Sequence, residues 1–331
     1  MILSYPVRVL CLALAAGFLL HAALMLLLRV AAPWLRRHAE RMAPAGAARW
    51  IFTWRLAPLA VTALAVGGIG LPVYLRFEPF GLAERVNPGF LAAGALGAFL
   101  CALALARWGR AAWALRRLAG ECRRGGSPLA AGAAGGVPAG PSTGAWAVRS
   151  AAPFVVLAGL RRPRVVISTA ALERLTPAQL DMALRHEEAH RGAGDCWRRW
   201  LFLVLPDALP GVHWRGPERL WTRYSEWAAD QTAVAGQPWR AVHLAEALVA
   251  VGRGTAPQAP LGAMVTGLAN DGAELADRVD RLLAGQAVTA APHCPLPRWI
   301  WPAAGALLTA AAVYALPHAT ALYPLLERLV R

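Results

Sequence analysis

The sequence predicts a membrane α-helical protein with four transmembrane helices and an α+β domain inserted between the third and the fourth. Three observations carry this. Apolar residues are in excess, they concentrate in four long runs, and short strand-like runs followed by helical periodicity fill the stretch between the last two. Hydrophobic residues make up 57% of the 331 and charged residues only 16%, too few polar side chains to cover a soluble protein of that size.

Val9 to Leu28, bracketed by Arg8 and Arg29, is long enough to cross the hydrocarbon core and is the first predicted span. The alternative is a signal peptide, but the run is longer than a signal core and lacks a small-residue cleavage site. Leu56 to Leu75 is the second span, its Pro58, Gly67, Gly68, Gly70 and Pro72 being residues that membrane helices accept. Gly89 to Ala106 is the third, with Gly94 and Gly97 suited to close helix contact. Trp299 to Leu316 is the fourth, with Trp299, Trp301 and Tyr314 placed like interfacial anchors. The division is therefore three spans in 1–106, a water-facing domain in 107–297, and a span with a short tail in 298–331.

All 34 basic residues are Arg, against 19 acidic residues, for a net charge of +15. They crowd beside the apolar runs and no nucleic-acid motif accompanies them, so the expected partner is the lipid bilayer and not nucleic acid. Residues 29–55 carry Arg29, Arg36, Arg37, Arg41, Arg49 and Arg55 against Glu40, whereas 76–88 balance Arg with Glu. By the positive-inside rule the 107–297 domain is cytoplasmic and both termini are external. The five cysteines are scattered singly, which predicts no disulfide framework.

Within the domain, residues 127–145 read as a linker rich in Gly, Ala, Pro and Ser. Trp146–Arg149, Pro153–Leu157 and Arg164–Ser168 read as strands of a small sheet, whose free edge would suit an extended peptide. Thr176-Pro177-Ala178-Gln179 is a helix start, with a capping Thr, Pro at the first position and Gln three after the cap. Gly192 and Gly194 end that helix. It carries His186-Glu187-Glu188-Ala189-His190, the H-E-x-x-H pattern.

Positions four apart on a helix lie one above the other, so the two imidazoles face one point and suit Zn²⁺. Glu187 is then placed to act as general base on a water. The alternative is a surface helix with two solvated histidines. A catalytic zinc site usually has three protein ligands, and Glu226, on a helix predicted over about 217–235, supplies a third. Asp230 shares its face and can orient a ligand imidazole. Alone, that acidic pair would read as a solvated helix face. The apolar stretch 200–209, broken by Pro206, Asp207 and Pro210, is too short to span and reads as a buried or membrane-dipping hairpin. Asp195 reads as a cap or as a partner of nearby arginines. Helices are also expected over Trp239–Val251 and Glu274–Leu283.

With these motifs the chain resembles the BlaR/MecR-type membrane metallopeptidases, the antirepressor family of gluzincins. The resemblance rests on Arg162 to Ser168, the helix Leu175 to His190 followed by Asp195, His213-Trp214, Glu226-x-x-x-Asp230, and Arg278 to Leu283. It implies a gluzincin-type zinc metalloendopeptidase domain with one Zn²⁺, His186, His190 and Glu226 as ligands, Glu187 as base and Asp230 behind a ligand. It also implies a bacterial inner-membrane location and a protein substrate, first of all a DNA-binding repressor cleaved in signalling. His213, Tyr224 and Arg223 are candidates for stabilising the oxyanion. Nothing in the sequence fixes the oligomeric state, and a homodimer is compatible with it.

Two departures qualify the resemblance. Only about fifteen residues follow Leu316, where sensor members carry a penicillin-binding domain, so β-lactam sensing of that kind is not expected. The residues ending at Asp230 also look like HtpX-type quality-control proteases, but 35 residues separate His190 from Glu226, where those proteases usually insert two spans. A silent signalling scaffold is a further alternative. An intramembrane protease is disfavoured by Arg185, Glu187, Glu188 and Arg191 on the motif helix.

Overall fold

The computed structural model describes residues 2–77, 84–128, 145–160, 163–205, 214–253, 266–267 and 272–285. The predicted fourth span, residues 206–209 of the predicted hairpin, and His213 lie outside the described residues.

Helix α1 runs Tyr5–Ala39, and α2 starts at Pro44 and continues to Ala63. A π-helical segment, Leu64–Gly70, carries α2 into α3, Leu71–Phe77, and α4 runs Pro88–Gly125. Among the described residues three helical stretches are long and apolar enough to cross a membrane: Tyr5–Ala39, Pro44–Phe77 and Pro88–Ala114. All three overrun the apolar segments read from sequence. At 1.5 Å per residue, α1 is about 50 Å long against a hydrocarbon core of about 30 Å, so its arginine-bearing end, Arg29 to Arg37, projects beyond the apolar layer. The second stretch begins at Pro44, not Leu56, because apolar Ile51 and Phe52 pack on the following domain.

A Cβ on Gly94 would touch the backbone of Cys11, and one on Gly97 would run into the Leu14 carbonyl. The contact advances three residues along both helices, so α1 and α4 run parallel, as two crossings separated by a return require. Glycine is needed here for close backbone approach.

Strands β1, Ile2–Leu3, and β2, Glu84–Arg85, pair antiparallel beside the helices. The domain's sheet has the order β3 (Gly126–Pro128), β4 (Trp146–Val148), β6 (Arg164–Ser168), β5 (Val155–Ala158), β7 (Thr266–Gly267), with only β4 and β6 parallel. Period-two alternation sorts its β-branched residues. Val155, Leu157, Val165 and Ile167 face the helices, while Phe154, Val156 and Val166 cluster on the other face. The free edge expected on the three predicted strands is taken up: β3 pairs with the outer side of β4, and β7 with that of β5 at Val156 and Leu157.

Among the described residues five helices and the short α5, Thr169–Arg174, complete the domain. The five are α6, Pro177–Ala193; α7, Asp195–Val204; α8, Gly216–Val234; α9, Pro238–Gly252; and α10, Gly272–Leu283. Four of the five lie where the sequence places them, and the other, α7, takes the place of the start of the predicted hairpin. Leu180 and Ala183 of α6 pack with the sheet and with Leu244, Leu248 and Val251 of α9. A second core joins the domain to the membrane helices: Ile51 and Phe52 of α2 meet Phe202 of α7 and Trp221 and Tyr224 of α8. Residues 200–204 are therefore the end of a short helix packed on α2.

Candidate metal centre

Helix α6 has fixed ends. Thr176 Oγ1 accepts from the Gln179 N–H at 3.3 Å and Gln179 Oε1 accepts from the Thr176 N–H at 3.0 Å, a complete capping box. At the other end Gly194 takes the left-handed conformation, φ 74°, which a side chain would strain. The chain turns sharply there into α7, and the turn carries Asp195 back beneath His190.

His186 and His190 sit one turn apart with their Nε2 atoms 3.1 Å from each other. From α8, Glu226 Oε2 reaches to 3.3 Å from His186 Nε2 and 3.6 Å from His190 Nε2. Donors about 2.0–2.1 Å from a tetrahedral zinc ion lie about 3.3 Å from one another. The three atoms thus already have the mutual spacing of one face of such a site. Two imidazoles and a carboxylate are also the donor set that zinc favours.

The outer nitrogens are held too. Asp195 Oδ2 lies 2.8 Å from His190 Nδ1, while its Oδ1 accepts from Arg198 at 3.2 Å. Asp230 Oδ1 lies 3.0 Å from His186 Nδ1, a close ionic contact in which the ring N–H is not aimed squarely at the oxygen. Carboxylates behind both imidazoles would leave each Nε2 free to bind an ion.

Arg278 of α10 closes the cluster. Its Nε and Nη2 donate to the two oxygens of Asp230 at 2.9 and 2.7 Å, and Nη1 stands 2.9 Å from Glu226 Oε2. Sequence reasoning included Arg278 in a family motif but assigned it no role, and it kept Asp195 away from the site. Periodicity offered one signal for Arg278, because it lies on the apolar face of α10 with Leu275, Val279 and Leu282, where a lone arginine requires an anionic partner. Asp195 offered none beyond its nearness to His190.

The whole cluster is removed from water: His186, Glu187 and His190 are 0% exposed and Glu226 1%. Neither carboxylate oxygen of Glu187 or of Glu226 has a hydrogen-bond donor in the described residues. Buried carboxylates are costly unless they are hydrogen-bonded or coordinate a metal. Glu226 Oε2 has its ion pair with Arg278, so the two oxygens of Glu187 and Oε1 of Glu226 are the strongest sign that a further cation belongs here.

The electrostatics agree. Burial, opposed by the neighbouring histidines, raises the Glu187 carboxyl to about 7. For His190, burial works against the charged form, but the charge of Glu226 and the contact with Asp195 overcome it and raise the imidazole to about 10. Burial likewise opposes charge on His186, and the contacts with Asp230 and Glu226 leave it raised. For Glu226 and Asp230 burial pushes upward, but the Arg278 guanidinium together with the neighbouring histidines outweighs it, leaving Asp230 lowered and Glu226 well below the usual carboxylate range. The carboxylates around the imidazoles thus favour positive charge at this point.

Of the predicted residues, His186, Glu187, His190, Glu226 and Asp230 come together. Two proposed oxyanion stabilisers are committed elsewhere. Arg223 pairs with Asp277 at 3.2 Å and lies over the Trp227 ring, and Tyr224 packs in the core shared with α2. For Tyr224 the reason is angular, since it points away from the helix face that Glu226 and Asp230 present to α6; Arg223 lies near that face, one turn before Glu226, and is drawn to Asp277 instead. Cys196 is a buried cysteine of the core, as expected. No family model matches the chain, and no curated protein or solved structure matches it either.

Proposed function

We propose that the chain is an integral-membrane, zinc-dependent endopeptidase, with His186, His190 and Glu226 as ligands and Glu187 as general base. The observation that carries this reading is the convergence of three donor atoms at zinc-ligand spacing beside the buried, unpartnered carboxylate of Glu187. Zinc held there supplies Lewis acidity, which polarises a peptide carbonyl and makes a water acidic enough to attack it at neutral pH.

The protein's own contribution is proton handling and orientation. Glu187, with its carboxyl near 7, is matched to accept a proton from the attacking water and pass it to the leaving amine. Asp195 and Asp230 hold the two imidazoles in the tautomer that leaves Nε2 available. Arg278 neutralises Asp230 and part of the charge on Glu226.

The domain, in this reading, faces the cytoplasm of a bacterial inner membrane, as the arginine-rich loops argue. The substrate is a protein, and cleavage of a DNA-binding repressor in signalling is favoured over constitutive quality control. The complete burial of His186, Glu187, His190 and Glu226 supports that order, since such a site must open before a chain can enter, and opening is a point of control. Glu187→Gln tests the reading. It should retain zinc and abolish cleavage, so that proteomes of cells carrying it and the unaltered chain differ in an accumulated substrate. If the variant signals normally, the scaffold reading replaces the peptidase. A topology reporter at residue 195 should read as aqueous and cytoplasmic.

A further inference from the structure

A cavity of about 630 Å³ opens between the end of α1, the start of α2 and the first turn of α8. Its level is set by the sequence. The apolar run of α1 ends at Leu28 and the cavity wall begins at Leu28 and Arg29, so the cavity lies where a bilayer changes from hydrocarbon to headgroup. We propose that this cavity binds the headgroup of an anionic phospholipid.

Charge is the first argument. Arg29, Arg36, Arg37 and Arg55 line the cavity with one acid, Glu40. That acid is taken, since Arg36 Nε donates to Glu40 Oε1 at 3.1 Å. Arg29 and Arg37 have no carboxylate partner in the described residues. The wall therefore carries uncompensated positive charge in a partly apolar setting, where an anion is held more strongly than in water.

Hydrogen bonding is the second and independent argument. Trp50, Trp54 and Arg29 line the cavity, and the indole N–H groups of the first two and the Nε–H of the third are buried and find no acceptor in the described residues. Three unsatisfied donors around one space call for a ligand rich in acceptor oxygens. A phosphodiester with its glycerol and ester oxygens is such a ligand.

The remaining walls select a lipid over a free anion. Leu28, Pro33 and Leu35 give the cavity an apolar side. The exposed Leu26, Leu27 and Val30 of α1 lie within a turn of Leu28 and offer a path for acyl chains. Trp214 stacks its ring 5.6 Å from the Arg29 guanidinium, fixing that side chain at the boundary. Because Gly216, Pro217 and Leu220 of α8 also line the space, an occupied cavity ties α8, which bears Glu226, to α1 and α2. The proposal rests on membrane insertion of α1 and α2, not on the peptidase reading.

The test uses the full chain in neutral detergent micelles, titrated with dioctanoyl phosphatidylglycerol or dioctanoyl phosphatidylcholine, with retained lipid counted by native mass spectrometry. Phosphatidylglycerol should bind saturably and about tenfold more tightly than phosphatidylcholine. Arg29→Gln with Arg37→Gln should weaken phosphatidylglycerol about tenfold, while the charge-matched pair Arg110→Gln with Arg174→Gln, outside the cavity, should change it less than about twofold. Trp54→Phe, which keeps the ring and removes a donor, should weaken it about threefold and guards against misfolding of the double variant. Equal binding of the two lipids, or equal losses in the two arginine pairs, overturns the proposal. Displacement of phosphatidylglycerol by millimolar inorganic phosphate also overturns it, by identifying a free-anion site. Each readout is lipid binding, so an inactive protein that passes leaves the lipid site standing, and an active one that fails leaves the peptidase standing.

Discussion

Arg278 Nη1 lies 2.9 Å from Glu226 Oε2, and both side chains are 2% exposed. The same guanidinium takes Asp230 through its other two nitrogens, so one cation from α10 compensates both carboxylates that α8 directs at the histidine helix. Opposite charges in a buried cluster are interdependent, because removing one partner leaves the other charged and desolvated.

Arg278→Met should therefore destabilise the metal-free protein by about 3–5 kcal/mol, the usual cost of breaking a buried pair. With zinc present the loss should be smaller, since a divalent ion compensates Glu226 directly. Arg278→Lys, which keeps the charge but not the fork, should fall between. Denaturant unfolding in chelator and in zinc checks this, and equal losses under both conditions would show that Arg278 does not share a cation's role.

Asp195→Asn addresses the other imidazole. Asp195 Oδ2 is 2.8 Å from His190 Nδ1, and the amide can present either oxygen or nitrogen to that atom, so the tautomer is no longer enforced. Zinc affinity should drop about tenfold to a hundredfold, the usual effect of losing a carboxylate behind a ligand histidine. Competition with a chromophoric chelator measures it. An unchanged affinity would confine Asp195 to its ion pair with Arg198.

Much of this centre is legible in the chain because its signals are local. The capping box, the four-residue spacing of His186 and His190, and the four-residue spacing of Glu226 and Asp230 are set by helix geometry alone. Three strand positions are legible from short β-branched runs such as Val155-Val156 and Val165-Val166-Ile167, whereas the two faces on which they pack are seen only in the fold. Arg278 and Asp195 escaped because their roles depend on where separate segments dock. Arg278 is 48 residues from Asp230, and Asp195 reaches His190 only through the left-handed turn at Gly194. The helices outrun the predicted spans where residues such as Ile51 and Phe52 continue the helix and bury against protein.

The protonation pattern gives a pH prediction for the protein stripped of metal. His190, raised from 6.5 to about 10, adds stability that is complete below pH 6.5 and lost as pH rises towards 10. Glu187, raised from 4.5 to about 7, favours its neutral form in the fold, so its ionisation removes stability as pH rises from 4.5 to 7. Asp230 and Glu226, both lowered, act oppositely: their contribution is present above about pH 4 and lost on acidification. Metal-free protein should thus melt highest near pH 5–6 and progressively lower towards pH 9. Zinc requires neutral imidazoles, so the rise in melting temperature on adding zinc should be larger at pH 8 than at pH 6. A zinc-induced shift independent of pH would mean that the histidines are not the ligands.

The membrane helices offer a covalent check on their packing. An ideal Cβ built on Gly94 lies 3.8 Å from Cys11 Cβ, the mean separation across a disulfide. Gly94→Cys should therefore form a bond with native Cys11 under mild oxidant, lowering the free-thiol count by two, whereas Gly94→Cys with Cys11→Ser should not. Gly97→Leu should abolish the cross-link, because its side chain meets the Leu14 backbone and forces α1 and α4 apart, at a cost of about 1–3 kcal/mol or more. Zinc binding should survive, since the metal domain is anchored through the core of Phe52, Phe202 and Trp221 and not through the α1–α4 contact. A Gly94→Cys chain that keeps all its thiols would place the two helices in another register, and loss of zinc from Gly97→Leu would tie the metal centre to a helix pair that does not touch it.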